Sequence, residues 1–292
     1  MNSKNICVVG AGQMGQQIAL NAAIHGFKVN LFDSYEHAMR KAKKWVNDYL
    51  QGRIQKGKMT EEKVMEVKRN INFTKKIEEA VADADFVIEA IIEKLDAKRE
   101  LFSELDKVCP TKTILATNSS SFCPSQLATA TNRVDKVIGM HFFNPALVMD
   151  LVEVIKGPET SGDTIDAVEQ LSKDFGKDPI ILMKEINGFV VNRILGRIFE
   201  EACRLIEAGI ATPQEIDKAI EKGLRHPMGP CKIMDQSGMD TVYLIRVQRY
   251  AESQNEIDKP IGIMKEMYEK GQLGKKSGKG FYEYNEDGTI KN

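Results

Sequence analysis

The 292-residue sequence has little of what specialised proteins are built on. Its formal charge is -1, from 41 Lys+Arg against 42 Asp+Glu, so no global charge marks a nucleic-acid or membrane-surface partner. Its five cysteines, Cys7, Cys109, Cys123, Cys203 and Cys231, form no C-x-x-C pair. An odd, widely spaced set is a poor disulfide framework and implies reduced thiols. No apolar run approaches the roughly 18 residues of a membrane span. The first strand begins near Ile6, which leaves no room for a signal peptide, so a cytoplasmic protein is expected. No metal site is expected. With 42% hydrophobic and 28% charged residues the chain reads as globular, and its length allows one large domain or two unequal ones.

The first half alternates short apolar runs with longer amphipathic stretches, the pattern of parallel strands and crossover helices. Strands are expected at Ile6 to Val9, Val29 to Phe32, Phe86 to Ala90, Thr113 to Ala116, Val137 to Met140, Leu151 to Ile155 and Pro179 to Met183. The last belongs at an edge, because Pro179 lacks a ladder N–H. Gly12 to His25 has helical spacing. Ser34 to about Lys68 predicts a protruding helical pair, broken at Gly57 and restarted at Thr60-Glu61-Glu62. Between Glu36 and Asn70 ten Lys/Arg outnumber five Asp/Glu, the one local bias that suggests an anionic ligand.

After Gly188 the pattern changes. Phe189, Val190, Ile194, Ile198, Cys203 and Ile206 read as one long apolar helix ended by Gly209. Thr212-Pro213-Gln214-Glu215 starts another with a capping box, and further helices are expected at Met239 to Gln254 and Pro260 to Lys270. The fold class is therefore α/β: a Rossmann-type doubly wound sheet domain over 1–186, with a helical hairpin insertion near 36–70, followed by a smaller all-helical domain over 187–292. That second domain has more apolar helix face than about 105 residues can cover, which predicts a homodimer through it.

Gly10-Ala11-Gly12-Gln13-Met14-Gly15 fits G-x-G-x-x-G between a strand and a helix, and Asp33 ends the next strand. Gly10 permits the tight turn, Gly12 lets a pyrophosphate approach the helix N-terminus, and Gly15 allows close packing of helix on strand. Asp33 suits the adenosine ribose and repels a 2′-phosphate. No Arg at Ser34-Tyr35 neutralises one, so NAD is expected over NADP.

Of four histidines, His25 ends a helix, His37 lies in the basic section, and His226 precedes the constrained turn Pro227-Met228-Gly229-Pro230. His141 differs, since it follows an apolar strand whose carboxyl end faces the ligand crevice of an open sheet. Twelve residues on, Glu153 sits in Leu151-Val152-Glu153-Val154-Ile155, too apolar a run for a lone carboxylate. A His–Glu pair would fix the tautomer and stabilise the imidazolium of an acid/base catalyst. The alternative is a core histidine and a Glu on the solvated face of an edge strand, and spacing alone does not decide between them.

Gly10-Ala11-Gly12, Asn118-Ser119-Ser120-Ser121, His141-Phe142-Phe143-Asn144-Pro145 with Leu151-Val152-Glu153-Val154, Gly188-Phe189-Val190-Val191-Asn192-Arg193 and Pro227-Met228-Gly229-Pro230 together resemble the 3-hydroxyacyl-CoA dehydrogenase family, closest to its short bacterial 3-hydroxybutyryl-CoA dehydrogenases. The resemblance covers nearly the whole chain. It implies interconversion of an (S)-3-hydroxyacyl-CoA and the 3-oxo thioester by hydride transfer at C3 to NAD. His141 would be the acid/base, Glu153 its orienting partner, Ser120 a donor to the reacting oxygen and the histidine, and Asn192 the residue near the substrate carbonyl. It further implies cofactor contacts from Gly10, Gly12, Gln13, Met14, Gly15, Asp33, Glu93, Lys98, Ser120, Asn144 and Lys276, and a coenzyme A contact from Lys56 in the basic hairpin. Ile186-Asn187-Gly188 departs from the family's usual Thr-Pro-Gly. Two other readings are a related dehydrogenase of a free hydroxy acid or sugar acid, and a non-catalytic dinucleotide-binding structural protein.

Overall fold

The computed structural model describes residues 4–291. Strands β1 (Asn5–Val9), β2 (Lys28–Phe32), β3 (Ile71–Thr74), β4 (Phe86–Glu89), β5 (Ile114–Thr117), β6 (Val137–Phe142), β7 (Leu151–Ile155) and β8 (Asp178–Leu182) form one sheet in the order β3-β2-β1-β4-β5-β6-β7-β8. β1 to β6 are mutually parallel, β7 runs antiparallel to β6, and β8 runs parallel to β7 at the edge. The order reverses between β1 and β4, and a sheet of this kind opens a crevice there, beyond the strand carboxyl ends.

Helices α1 (Gln13–Ile24), α2 (Glu36–Gln55), α3 (Glu61–Asn70), α4 (Ile77–Val81), α5 (Leu95–Val108), α6 (Pro124–Ala128) and α7 (Gly162–Asp174) accompany the sheet. The strand period of two divides the core. Ile6 and Val8, Phe86 and Ile88, and Ile114 and Ala116 join one apolar cluster with residues of α1, α2, α3 and α7. Cys7 and Val9, Val87 and Leu115 point the other way, onto Phe102 and Leu105 of α5. Truncating a ring as buried as Phe102 to Ala should cost about 3–5 kcal/mol.

The expected helical pair forms as α2 and α3, with the Thr60 hydroxyl accepting from the Lys63 N–H at 3.2 Å. It does not simply protrude, because Met39, Ala42, Val46, Leu50, Val64 and Val67 bury one face in the first core cluster. Sequence patterning misses β3, whose four residues alternate between a polar helix and Lys75-Lys76. It also misses α5 and α7.

Contacts divide the chain into two compact units, up to Val190 and from Val191 onward. Phe189 and Val190 do not extend the following helix as expected. Gly188 and Phe189 both take left-handed backbone, with φ of +76° and +49°, and Phe189 is buried against Ile155 and Leu182 of the sheet unit.

The second unit comprises α8 (Val191–Glu207), α9 (Pro213–Gly223), α10 (Pro230–Ser237), α11 (Met239–Ser253) and α12 (Gly262–Glu269) around Phe199, Cys203, Cys231, Met234, Met239 and Met264. The Pro-Met-Gly-Pro turn hides the start of α10. Buried Asp217 caps that helix, accepting from the N–H groups of Cys231 and Lys232 at 2.8 and 3.1 Å. Buried Asp235 accepts the Phe281 and Tyr282 N–H groups and the Tyr284 hydroxyl, which ties down the C-terminal segment. The five cysteines are unbridged thiols, and burial pushes Cys109 up to about 11 and Cys203 up to about 12. Among the described residues, no helix is long and apolar enough to cross a membrane.

Candidate active site

A cleft of about 760 Å³ lies at the switch point, lined by Gly10, Gly12, Gln13, Asp33, Glu93 and Ser120 among others. The three loop glycines are there for different steric reasons. Gly10 has φ +106°, and a Cβ on it would lie 2.5 Å from the Ala90 carbonyl oxygen. A Cβ on Gly15 would lie 1.8 Å from the Gly10 carbonyl oxygen, so the first turn of α1 seats directly on the loop. A Cβ on Gly12 would meet nothing within 4 Å. Gly12 is the N-cap of α1 and offers no side-chain cap, so the orphan N–H groups of the first turn remain for a ligand.

Asp33 shapes this loop. Its Oδ2 accepts the Ala11 N–H at 2.8 Å and its Oδ1 the Tyr35 N–H at 2.9 Å. A carboxylate has about four lone-pair sites, so acceptor capacity is left over for a diol. Asn144, which follows Phe143 and precedes a cis proline bond, accepts on Oδ1 from Gln13 and Gln17 of α1, each at 3.3 Å.

The reversal of β7 makes His141 and Glu153 register partners across the β6–β7 ladder. His141 Nδ1 lies 2.8 Å from Glu153 Oε2, and both side chains are buried. The other carboxylate oxygen, Oε1, accepts the Val190 N–H at 2.9 Å. The imidazole is flanked by the rings of Phe143 and Phe189, with centroids 4.6 and 5.3 Å away. Glu153 is thus no solvated edge residue. A carboxylate accepting from Nδ1–H leaves Nε2 as the basic nitrogen.

Ser120 lines the cleft in the turn after β5. The preceding Asn118 accepts the Phe142 N–H on Oδ1 at 2.9 Å, which joins this turn to the end of the histidine's strand. Glu93 and Lys98 also line the cleft, but Lys98 is only 1% exposed and its ammonium is held by Glu89 and Glu93. Sequence reading passes over Glu89 and Thr117, although Glu89 ends an apolar strand just as Asp33 and His141 end or nearly end theirs.

Two expected site residues belong to the second unit. Asn192 sits in the first turn of α8, and Lys276 forms an ion pair with Asp240, 2.5 Å away, within that unit. Lys56 is exposed just beyond α2. His37 and His226 are exposed as well, while His25 Nδ1 lies 2.8 Å from the Asn21 carbonyl oxygen.

A doubly wound sheet with an uncapped glycine loop, an Asp just after its second strand and a buried His–Glu pair is the arrangement of an NAD-binding dehydrogenase. Residues 5–186 match the 3-hydroxyacyl-CoA dehydrogenase NAD-binding domain and residues 188–284 match the C-terminal domain of the same enzymes. The chain belongs to the 3-hydroxyacyl-CoA dehydrogenase family. It is 42% identical to a probable 3-hydroxybutyryl-CoA dehydrogenase of Bacillus subtilis, over 98% of this chain and 99% of that one. It is 39% identical to the 3-hydroxybutyryl-CoA dehydrogenase of Clostridioides difficile, over 96% and 99%. The crystal structure of (S)-3-hydroxybutyryl-CoA dehydrogenase PaaH1 from Ralstonia eutropha superposes with a TM-score of 0.93 at 38% identity, covering 98% of this chain and 100% of that one.

Proposed function

We propose that the protein interconverts (S)-3-hydroxyacyl-CoA, foremost 3-hydroxybutyryl-CoA, and the 3-oxoacyl thioester with NAD. The buried His141–Glu153 pair carries this reading, because a histidine so held is an acid/base poised for a hydroxyl proton. Bound NAD supplies the acceptor for the hydride leaving C3. During oxidation His141 Nε2 takes the 3-hydroxyl proton, and Glu153 stabilises the resulting imidazolium. Ser120 donates to the reacting oxygen, where alkoxide character develops. Asn192 holds the thioester carbonyl. Gly10, Gly12, Gln13, Met14, Gly15, Asp33, Glu93, Lys98, Asn144 and Lys276 serve the dinucleotide, which the open Gly12 and uncapped α1 terminus fit.

Lys56 and the basic surface of α2 and α3 suit the phosphates of coenzyme A. NADH oxidation with acetoacetyl-CoA and with acetoacetate tests the substrate class. Turnover confined to the thioester is expected, and equal rates on the free acid would remove the coenzyme A assignment.

A homodimer through the helical unit is part of the same reading. α8 and α11 are joined by the buried Glu200–Arg246 ion pair and leave Ile194, Leu244 and Ile245 about half exposed. A second copy is the occupant such a paired apolar face favours. Light scattering should give twice the chain mass, and a monomer at micromolar concentration would contradict it. Five unbridged thiols fit a reducing, cytoplasmic setting.

A further inference from the structure

The floor of the cleft contains a charged cluster that the proton-transfer pair does not use. Glu89, the last residue of β4, is fully buried, and Lys98 of α5 places Nζ 2.5 Å from its Oε1. Burying two charges is costly unless every remaining donor and acceptor is matched, and here they are closely matched. Glu89 Oε1 also accepts the Ile91 N–H at 2.8 Å, and Oε2 accepts the Thr117 hydroxyl at 2.6 Å. Lys98 Nζ reaches Glu93 Oε2 at 3.1 Å. Glu93 Oε1 accepts the Ser119 hydroxyl at 2.5 Å and the Ser121 N–H at 3.1 Å. The Ser119 N–H donates to Thr117 Oγ1 at 3.1 Å, which closes the ring of interactions. Ser120 lies inside the bracket so formed.

We propose that Glu89, supported by Thr117, is a positioning residue for the reaction. It fixes Lys98, and through Lys98 and Glu93 it sets the Ser119–Ser121 turn that presents Ser120 to the cleft. This rests on the dehydrogenase reading above. An ammonium has three N–H groups; Glu89 and Glu93 take two and leave one for a ligand in the cleft that Lys98 lines. Glu89 therefore acts without touching substrate or cofactor. A single negative charge at the end of β4 organises three chain segments that are distant in sequence.

Glu89→Gln keeps the shape and an acceptor for Thr117 but removes the nearer and more buried of the two counter-ions of Lys98. The expected result, in folded protein, is a dissociation constant for NADH raised about tenfold and a kcat lowered at least as much, with KM for acetoacetyl-CoA changed less. NADH binding is read by fluorescence without substrate, and thermal melting is recorded alongside. A folded variant whose NADH affinity and kcat stay within twofold of the unaltered enzyme overturns the proposal. Where Glu89→Gln does not fold, Thr117→Val decides, since it leaves every charge in place. It should weaken NADH binding and lower kcat about threefold or more, and unchanged values overturn the proposal. Should the unaltered enzyme fail to reduce acetoacetyl-CoA, the dehydrogenase reading falls, while the NADH titration still reports on Glu89.

Discussion

His141 and Glu153 face each other as register partners of antiparallel strands, with Nδ1 2.8 Å from Oε2. Five parallel pairings precede that ladder in the sheet, so the reversal at β7 is what brings the two residues opposite one another. The same carboxylate holds the Val190 N–H, at the end of the sheet unit. Orientation of the imidazole and anchoring of the backbone at Val190 thus both depend on one buried side chain.

Replacing Glu153 with Gln should preserve the fold and damage the chemistry. The amide can offer Nδ1 a donor or an acceptor but cannot stabilise an imidazolium as a carboxylate does. We expect kcat to fall by about 10²–10⁴-fold, with the NADH dissociation constant within about threefold of its original value. Steady-state kinetics with a parallel NADH titration measures both. A kcat close to that of the unaltered enzyme would show that the pair is only structural.

Asp33→Asn addresses cofactor choice. Asp33 already accepts two backbone N–H groups, so the substitution loosens the loop and also removes a charge that would repel a 2′-phosphate bound beside it. NADH affinity should fall about tenfold, and the preference for NADH over NADPH should narrow. Paired titrations with the two cofactors measure this, and an unchanged preference would mean that discrimination lies elsewhere.

Much of this arrangement was legible in the sequence because it rests on local signals. Apolar runs broken by glycine give most of the sheet, and a polar residue ending such a run marks Asp33 and His141. Glu153 stands out as a carboxylate in an apolar strand, yet only the β6–β7 register decides between a pair and a solvated edge. β3 is hard to read because four alternating residues carry little periodicity. α10 is hidden because its start is written as a turn, with Asp217 supplying the cap from another helix. The left-handed Phe189 reads as helix in any apolar pattern, since its conformation comes from burial against Ile155 and Leu182. Glu89 carries no signal in the sequence, because its partners Lys98 and Thr117 come together only through the fold.

Acid stability should depend in part on Asp106. Burial works against its ionisation, but the Asn132 N–H, the Arg133 guanidinium at 2.8 Å and the Asn132 amide together hold its carboxyl below the usual carboxylate range. A lowered folded-state pKa stabilises the protein above the unfolded value and loses that contribution as pH falls through the folded one. Asp106→Asn should therefore cost about 1–3 kcal/mol at neutral pH, and the gap from the unaltered protein should shrink below about pH 4. Urea unfolding at pH 7 and pH 3 checks it, and a gap that is equal at both would contradict the ion-pair account.

Whether His141 moves the substrate proton is tested most directly by His141→Gln. With acetoacetyl-CoA and NADH, kcat should fall by about 10²–10⁴-fold, while NADH binds the variant nearly as tightly as the unaltered enzyme and the melting temperature changes little. Turnover retained at the original rate in that folded, NADH-binding variant would mean that another group moves the proton.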